Sequence, residues 1–356
     1  MKFINFITIL ILLASGCNFK PEPEPLPLSV RSTLNLLQES PQFVMYLNFK
    51  NMRRTEFWKK NVSDSLFNAE KTFGSLLNTF KMATGASISD GLDELYYSNS
   101  WFGENAIVMK GVFDRNKLTE YLTTDSLFSI AKYAGEIPVY IKNDIGLYFF
   151  FKDDFTLCAS NYLKQLDVMS NTRDTSQTGV LANARIYDAV SKIIFKEDLW
   201  MVSTEKIFIR GIFQNFVETT SGIKIENYDS LGNNDTLNKI EPGVLNDSTA
   251  DKEKLSMVNL YKKFNAISFS AKMSNELKFL VQCECVNEEA AKYFRSILNG
   301  VITVSKISSA RNKAGSGKIF EKLKLDRYDN SVFIELNIDE SNLQELKKTN
   351  LMSEPE

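Results

Sequence analysis

The side chains that could do chemistry in this sequence are defined first by one that is missing, since the chain has no histidine. Without imidazole there is no Ser-His-Asp or Cys-His nucleophile system. The commonest zinc, copper and haem ligand is gone, as is the residue that most often moves protons near neutral pH. Thiols and carboxylates remain. Cys283 and Cys285 alternate along a predicted strand and point the same way. They could offer two thiolates to a metal, but no further ligand lies near them in sequence. Cys158 sits on another predicted strand, and all three fit the reading of small buried residues. An oxidising compartment would also allow a disulfide between Cys158 and one of the others. Asp153-Asp154 and Glu288-Glu289 are paired carboxylates, the arrangement used for acid–base work. The first pair fits a turn and the second a helix N-terminus. Asp326, Asp329 and Asn330 also read as turn residues, and no spacing resembles an EF-hand loop. Gly315-Ser316-Gly317-Lys318 falls short of a phosphate-binding loop, with Asn312 and Ile319 where that loop needs Gly and Ser or Thr. No catalytic residue, metal ligand set or cofactor motif is assigned.

The thiol with the clearest role is Cys17. Lys2 is the only charge before residue 19, and an apolar run follows from Phe3 to Ala14. At about 12 residues the run is too short to span a bilayer as a helix. A short apolar core behind one positive charge and ahead of small residues reads as an export signal. The run ends Leu13-Ala14-Ser15-Gly16-Cys17. This segment resembles the lipobox of bacterial lipoproteins, which implies cleavage after Ala14, Ser15 and Gly16 and acylation of Cys17. Two or more acyl chains anchor a protein stably where one binds only reversibly. Asn18 carries no inner-membrane retention signal of the enteric kind, so the expected place is the cell envelope, at an outer membrane facing the periplasm or the surface. The partner implied is the membrane itself, through the acyl chains on Cys17.

After Cys17 come Pro21, Pro23, Pro25 and Pro27, with Glu22 and Glu24 between them. Alternate prolines favour an extended polyproline II chain, read here as a stalk over 17–28. The balance of 42 basic and 44 acidic residues gives no basic face for nucleic acid. No later apolar run approaches membrane-spanning length.

The elements that must position these residues come from an internal repeat. Glu94–Leu122 aligns with Ala266–Phe294 at an offset of 172, without a gap over 29 residues. Leu95 meets Ile267, Ile107 meets Phe279, Met109 meets Val281, and Tyr121 meets Tyr293. Each copy reads as a β-hairpin followed by a helix, with Asp114 as the predicted N-cap in the first. The flanks extend the correspondence to a repeated α-β-α-β-β-α-β-β-α unit. The fold class is therefore α+β, a tandem duplication with mainly antiparallel sheets and helices packed on one face. The repeats span 29–170 and 180–350, after a signal peptide at 1–16. A polar stretch at about 226–254 in the second repeat reads as a solvated insertion.

Tyr148, Phe149, Phe150 and Phe151 form an aromatic run on one predicted strand. Such a run needs both sheet faces covered, or else one face lines an apolar groove, as in lipid carriers of the envelope. The sequence thus points to a non-enzymatic envelope lipoprotein that binds a partner or apolar ligand between its halves. The alternatives are a structural or protein-interaction lipoprotein without ligand, and a carboxylate-based extracytoplasmic hydrolase.

Overall fold

The computed structural model describes residues 20–62, 73–133, 137–173, 175–221, 260–312 and 322–343. Ala14, Ser15, Gly16 and Cys17, the insertion at 226–254 and Gly315–Lys318 lie outside the described residues.

Period-two alternation gives the strands. They are β1 (Phe43–Asn48), β2 (Leu92–Asn99), β3 (Asn105–Gly111), β4 (Phe128–Tyr133), β5 (Ile137–Lys142) and β6 (Leu147–Phe151). They continue as β7 (Thr156–Ser160), β8 (Leu199–Ser203), β9 (Phe264–Met273), β10 (Leu277–Cys285), β11 (Lys324–Tyr328) and β12 (Ser331–Ile338). All join one 12-stranded sheet in the order β11-β12-β10-β9-β8-β1-β2-β3-β7-β6-β5-β4. Every ladder in it is antiparallel. The helices are α1 (Leu28–Leu34), α2 (Phe49–Met52), α3 (Glu56–Asn61), α4 (Phe73–Thr84), α5 (Arg115–Thr124), α6 (Leu163–Asn171), α7 (Ala184–Ser191), α8 (Lys206–Ser221) and α9 (Glu288–Asn312). The fold is α+β, mixed helix and antiparallel sheet. Asp114 caps α5 as its position predicts, accepting the N–H groups of Asn116 and Lys117 at 3.0 Å each.

The helices do not pack on one face, as the sequence reading expects, but on both. Val44 and Tyr46 point to a first face with Trp200 and Val202, under Leu34 of α1, Leu166 of α6 and Val190 of α7. Leu47 points to the second face, where Trp58 of α3, Phe80 of α4 and Leu118 of α5 cover the first half. Ile209 of α8 and Phe294 of α9 cover the second half on that same face, over Ile267 and Cys283. The physical reason is visible in β7, all five of whose residues are buried. A strand apolar on both sides needs cover on both.

Where the sequence predicts a cleft between halves, β1 and β8 are hydrogen-bonded neighbours. Val44 pairs with Val202, Met45 with Met201, Tyr46 with Trp200 and Leu47 with Leu199. Pairing two strands that would otherwise be edges satisfies their open N–H and C=O groups. The first-face core is shared by both halves.

The proline-rich segment is also not a free stalk over its described part. The Glu24 N–H donates to the carbonyl of Ile194 at 3.1 Å. Glu24 accepts the Lys196 N–H at 2.7 Å and Lys272 Nζ at 3.0 Å. Leu26 packs against the first-face core, and Lys20 Nζ meets Asp329 Oδ2 at 2.7 Å. A polyproline II chain has no internal hydrogen bonds, so the one free amide of Glu24 and its carboxylate are available to the folded part.

Candidate functional site

One cross-strand register carries an apolar residue on every strand of the second face. It runs Ile130, Tyr140, Phe149, Ala159, Ile107 and Tyr97 in the first half. It crosses the seam at Met45 and Met201 and continues through Phe269, Val281, Ile334 and Leu325. Residues directly opposite on one face are in side-chain contact range, so the row is one continuous strip. Phe149, Ala159 and Ile107 are buried in the core beneath α4 and α5, whereas Tyr97, Met45, Met201, Phe269, Val281 and Ile334 are half-buried. A second row beside it is again apolar, formed by Leu47, Leu199, Ala271, Phe279 and Leu336. Aromatic rings lie within and beside the two rows, with Phe269 tilted on Phe279 at 6.2 Å and Phe43 stacked on Phe208 at 5.0 Å. The alternation within most of these strands, β4 and β7 excepted, is visible in the sequence. The alignment of Met45 with Met201 is set by pairing between residues far apart, which no local pattern carries.

The aromatic run does not line one groove. Tyr148 and Phe150 point to the first face, and Phe150 pairs with Cys158 there. Phe149 and Phe151 point to the second, where Phe149 stacks on Tyr140 at 5.1 Å. The pleat thus divides four consecutive aromatics between two cores.

The buried polar groups hold the fold together. Glu94 accepts the hydroxyls of Tyr46 at 3.3 Å and Tyr96 at 2.8 Å. Burial and then the Glu94 charge hold both phenols well above the usual tyrosine range. Asp198 accepts Asn51 Nδ2 at 2.5 Å and the Met273 N–H at 2.6 Å, and burial raises its carboxyl pKa. Asp153 accepts the Phe155 N–H at 2.8 Å in a turn, and Asp154 meets Arg115 at 3.0 Å. Glu288 and Glu289 are exposed in the first turn of α9. Among the described residues no group of three or more Cys, Asp or Glu is placed to hold a metal ion.

The three described cysteines are free and buried. Cys158 lies in the first-face core, while Cys283 and Cys285 share a core on the second. Burial pushes the thiols of Cys158 and Cys285 up to about 12 and holds that of Cys283 well above the ordinary thiol value. Thiols held neutral in this way are poor nucleophiles and metal ligands. Among the described residues no helix is long and apolar enough to cross a membrane.

No family model and no curated protein matches the chain. Among solved structures, crystal form III of TP0453 is similar at 8% identity and a TM-score of 0.46, covering 89% of this chain and 97% of that one. Crystal form I of TP0453 gives 9% identity and a TM-score of 0.45, covering 89% and 96%. At these values the likeness carries no argument about function.

Proposed function

We propose that this chain is an exported, lipid-anchored envelope protein that binds an apolar ligand and catalyses no reaction. The ligand lies along the strip on the second face where the two halves meet. The observation that carries this reading is the unbroken apolar row, whose members from Tyr97 to Ile334 flank the cores under the covering helices and stay half-buried. Apolar side chains left partly open in a continuous strip suit an elongated apolar molecule. The committed carboxylates, the neutral thiols and the missing histidine favour carriage over catalysis. The lipobox at Cys17 supports export and anchoring.

We also propose that the two halves descend from one duplicated unit. Counted outward from the β1–β8 seam, β2 answers β9, β3 answers β10, β7 answers β12 and β6 answers β11. Leu95 pairs with Leu47 as Ile267 pairs with Ser203, which supports the alignment of Leu95 with Ile267. In the next strand Ile107 pairs with Tyr97 as Val281 pairs with Phe269. Ile107 therefore answers Val281 rather than Phe279, so the second hairpin is longer by two residues. An even shift preserves which side chains face inward, and the sequence pattern therefore hides it.

The test is native against denaturing mass spectrometry of the chain from Asn18 to Glu356, exported behind an ordinary cleavable signal in place of residues 1–17 and purified from a bacterial periplasm. An added mass lost on denaturation, and absent from Val281→Lys, supports the ligand reading. A clean apo mass overturns it and favours a protein-interaction role.

A further inference from the structure

We infer that the loop end of the sheet bearing Trp101 and Phe102 rests on the membrane interface of the bilayer that receives the acyl chains of Cys17. The inference rests on the lipid-anchor reading and adds the surface that the folded protein turns toward the lipid.

The first observation is a set of apolar side chains exposed at one end of neighbouring strands. Asn99, Asn105, Ser160, Ser203, Cys285 and Ser331 all lie at that end, as the antiparallel registers require. The β2–β3 hairpin closes there, its Ser100 N–H donating to Glu104 O at 2.8 Å and Gly103 in the left-handed region at φ 76°. At its tip Phe102 is 90% exposed and Trp101 46%. Trp101 Nε1 donates to Glu205 at 3.4 Å, which brings up the start of α8, where Ile207 is 63% exposed. Asn161 accepts the Asn105 N–H at 2.7 Å and donates to Gly103 O at 2.8 Å, which adds exposed Leu163 at the start of α6. Val286 is exposed farther along, between β10 and α9. A tryptophan and a phenylalanine on a polar turn are suited to the headgroup level of a bilayer.

The second observation is the path of the chain that leads to Cys17. Glu24 is held by Lys196 and Lys272, at the opposite ends of β8 and β9. Four residues earlier, Lys20 meets Asp329 in the β11–β12 turn, at the same end as Trp101. The segment therefore runs toward the loop end, stiffened by Pro21 and Pro23. Cys17 precedes Lys20 by three residues, at most about 11 Å of extended chain. Val112 and Phe155 are exposed at the other strand ends, but no described segment leads from them toward Cys17.

The molecule carries its own reporter, because Trp58 and Trp200 are buried and Trp101 is not. The full lipidated chain is reconstituted into phosphatidylethanolamine–phosphatidylglycerol vesicles containing acyl-brominated lipid. Flotation reads the anchor, and tryptophan emission reads the loop tip. The expected result is flotation with quenching, the quenching being lost in Trp101→Phe and weakened in Phe102→Ser. Both substitutions lie on an exposed turn, and unchanged unfolding midpoints would show that each variant is folded. Flotation with no more quenching than in Trp101→Phe overturns the inference while the anchor stands, and leaves the tip to a protein partner. Absence of flotation removes the anchor reading and this inference with it.

Discussion

Glu24 and Lys196 are joined side chain to backbone, the Glu24 carboxylate accepting the Lys196 N–H at 2.7 Å. This bond and the Glu24 N–H to Ile194 carbonyl bond make the proline-rich segment part of the fold. Glu24→Ala leaves a buried N–H without its acceptor and removes one of the two carboxylates around Lys272, whose other partner is Glu197 at 3.0 Å. The expected loss is about 1–3 kcal/mol, read by urea unfolding, with faster proteolysis between Lys20 and Leu28. An unchanged midpoint and cleavage rate would mean that the segment does not hold.

Lys196 adds a pH dependence to the same contact. It is 1% exposed, and its Nζ donates to the carbonyls of Glu24 and Ser191. Desolvation lowers its pKa from 10.5 to about 8, with the Glu24 charge opposing that shift. Between those values the unfolded chain binds more protons than the folded one, so this contribution to stability rises with pH. It is fully present above the unfolded value and lost as pH falls through about 8. Lys196→Met removes the titration. The stability of wild type relative to Lys196→Met is expected to increase between about pH 7.5 and about pH 9.5. A flat difference, measured by guanidinium unfolding, would show that the ammonium is not desolvated.

These two residues also mark where sequence reading ends. Asp114 as a cap and the β2–β3 and β9–β10 hairpins are legible because their partners lie within a few positions. The docking of Glu24 depends on Lys196 and Lys272, far along the chain, so composition alone suggests a free stalk. The edge strand β4 escapes because Ser129 and Lys132 dilute its alternation and Ile130 is left exposed. Tyr148–Phe151 does signal cover on both faces, but nothing local says that β1 and β8 pair or that Met45 sits opposite Met201.

Trp200 tests that seam. It is fully buried opposite Tyr46, with ring centroids 5.6 Å apart, in a core drawn from both halves. Trp200→Ala is expected to cost about 3–5 kcal/mol. Because the core is shared, circular dichroism and tyrosine fluorescence should follow one shifted transition. Two separated transitions would mean that the halves fold independently despite the β1–β8 ladder.

The cysteines test the claim that the folded chain offers no thiol chemistry. In the Cys17→Ala chain, Cys158, Cys283 and Cys285 should be silent toward a thiol reagent in the native state, and all three should react once the protein is denatured. Burial protects each of them twice, by blocking access and by raising the pKa, so the reactive thiolate is both hidden and scarce. A deficit of two thiols after denaturation would indicate a disulfide. Cys158 faces the opposite side of the sheet from Cys283 and Cys285, so it cannot pair with either in this fold. Cys283 and Cys285 are two positions apart on a strand, with Cα atoms about 6.6 Å apart, at the far limit of disulfide geometry. The expected count in denaturant is therefore complete. A cysteine that reacts in the native state as fast as in denaturant would reveal an accessible nucleophile and reopen an enzymatic role.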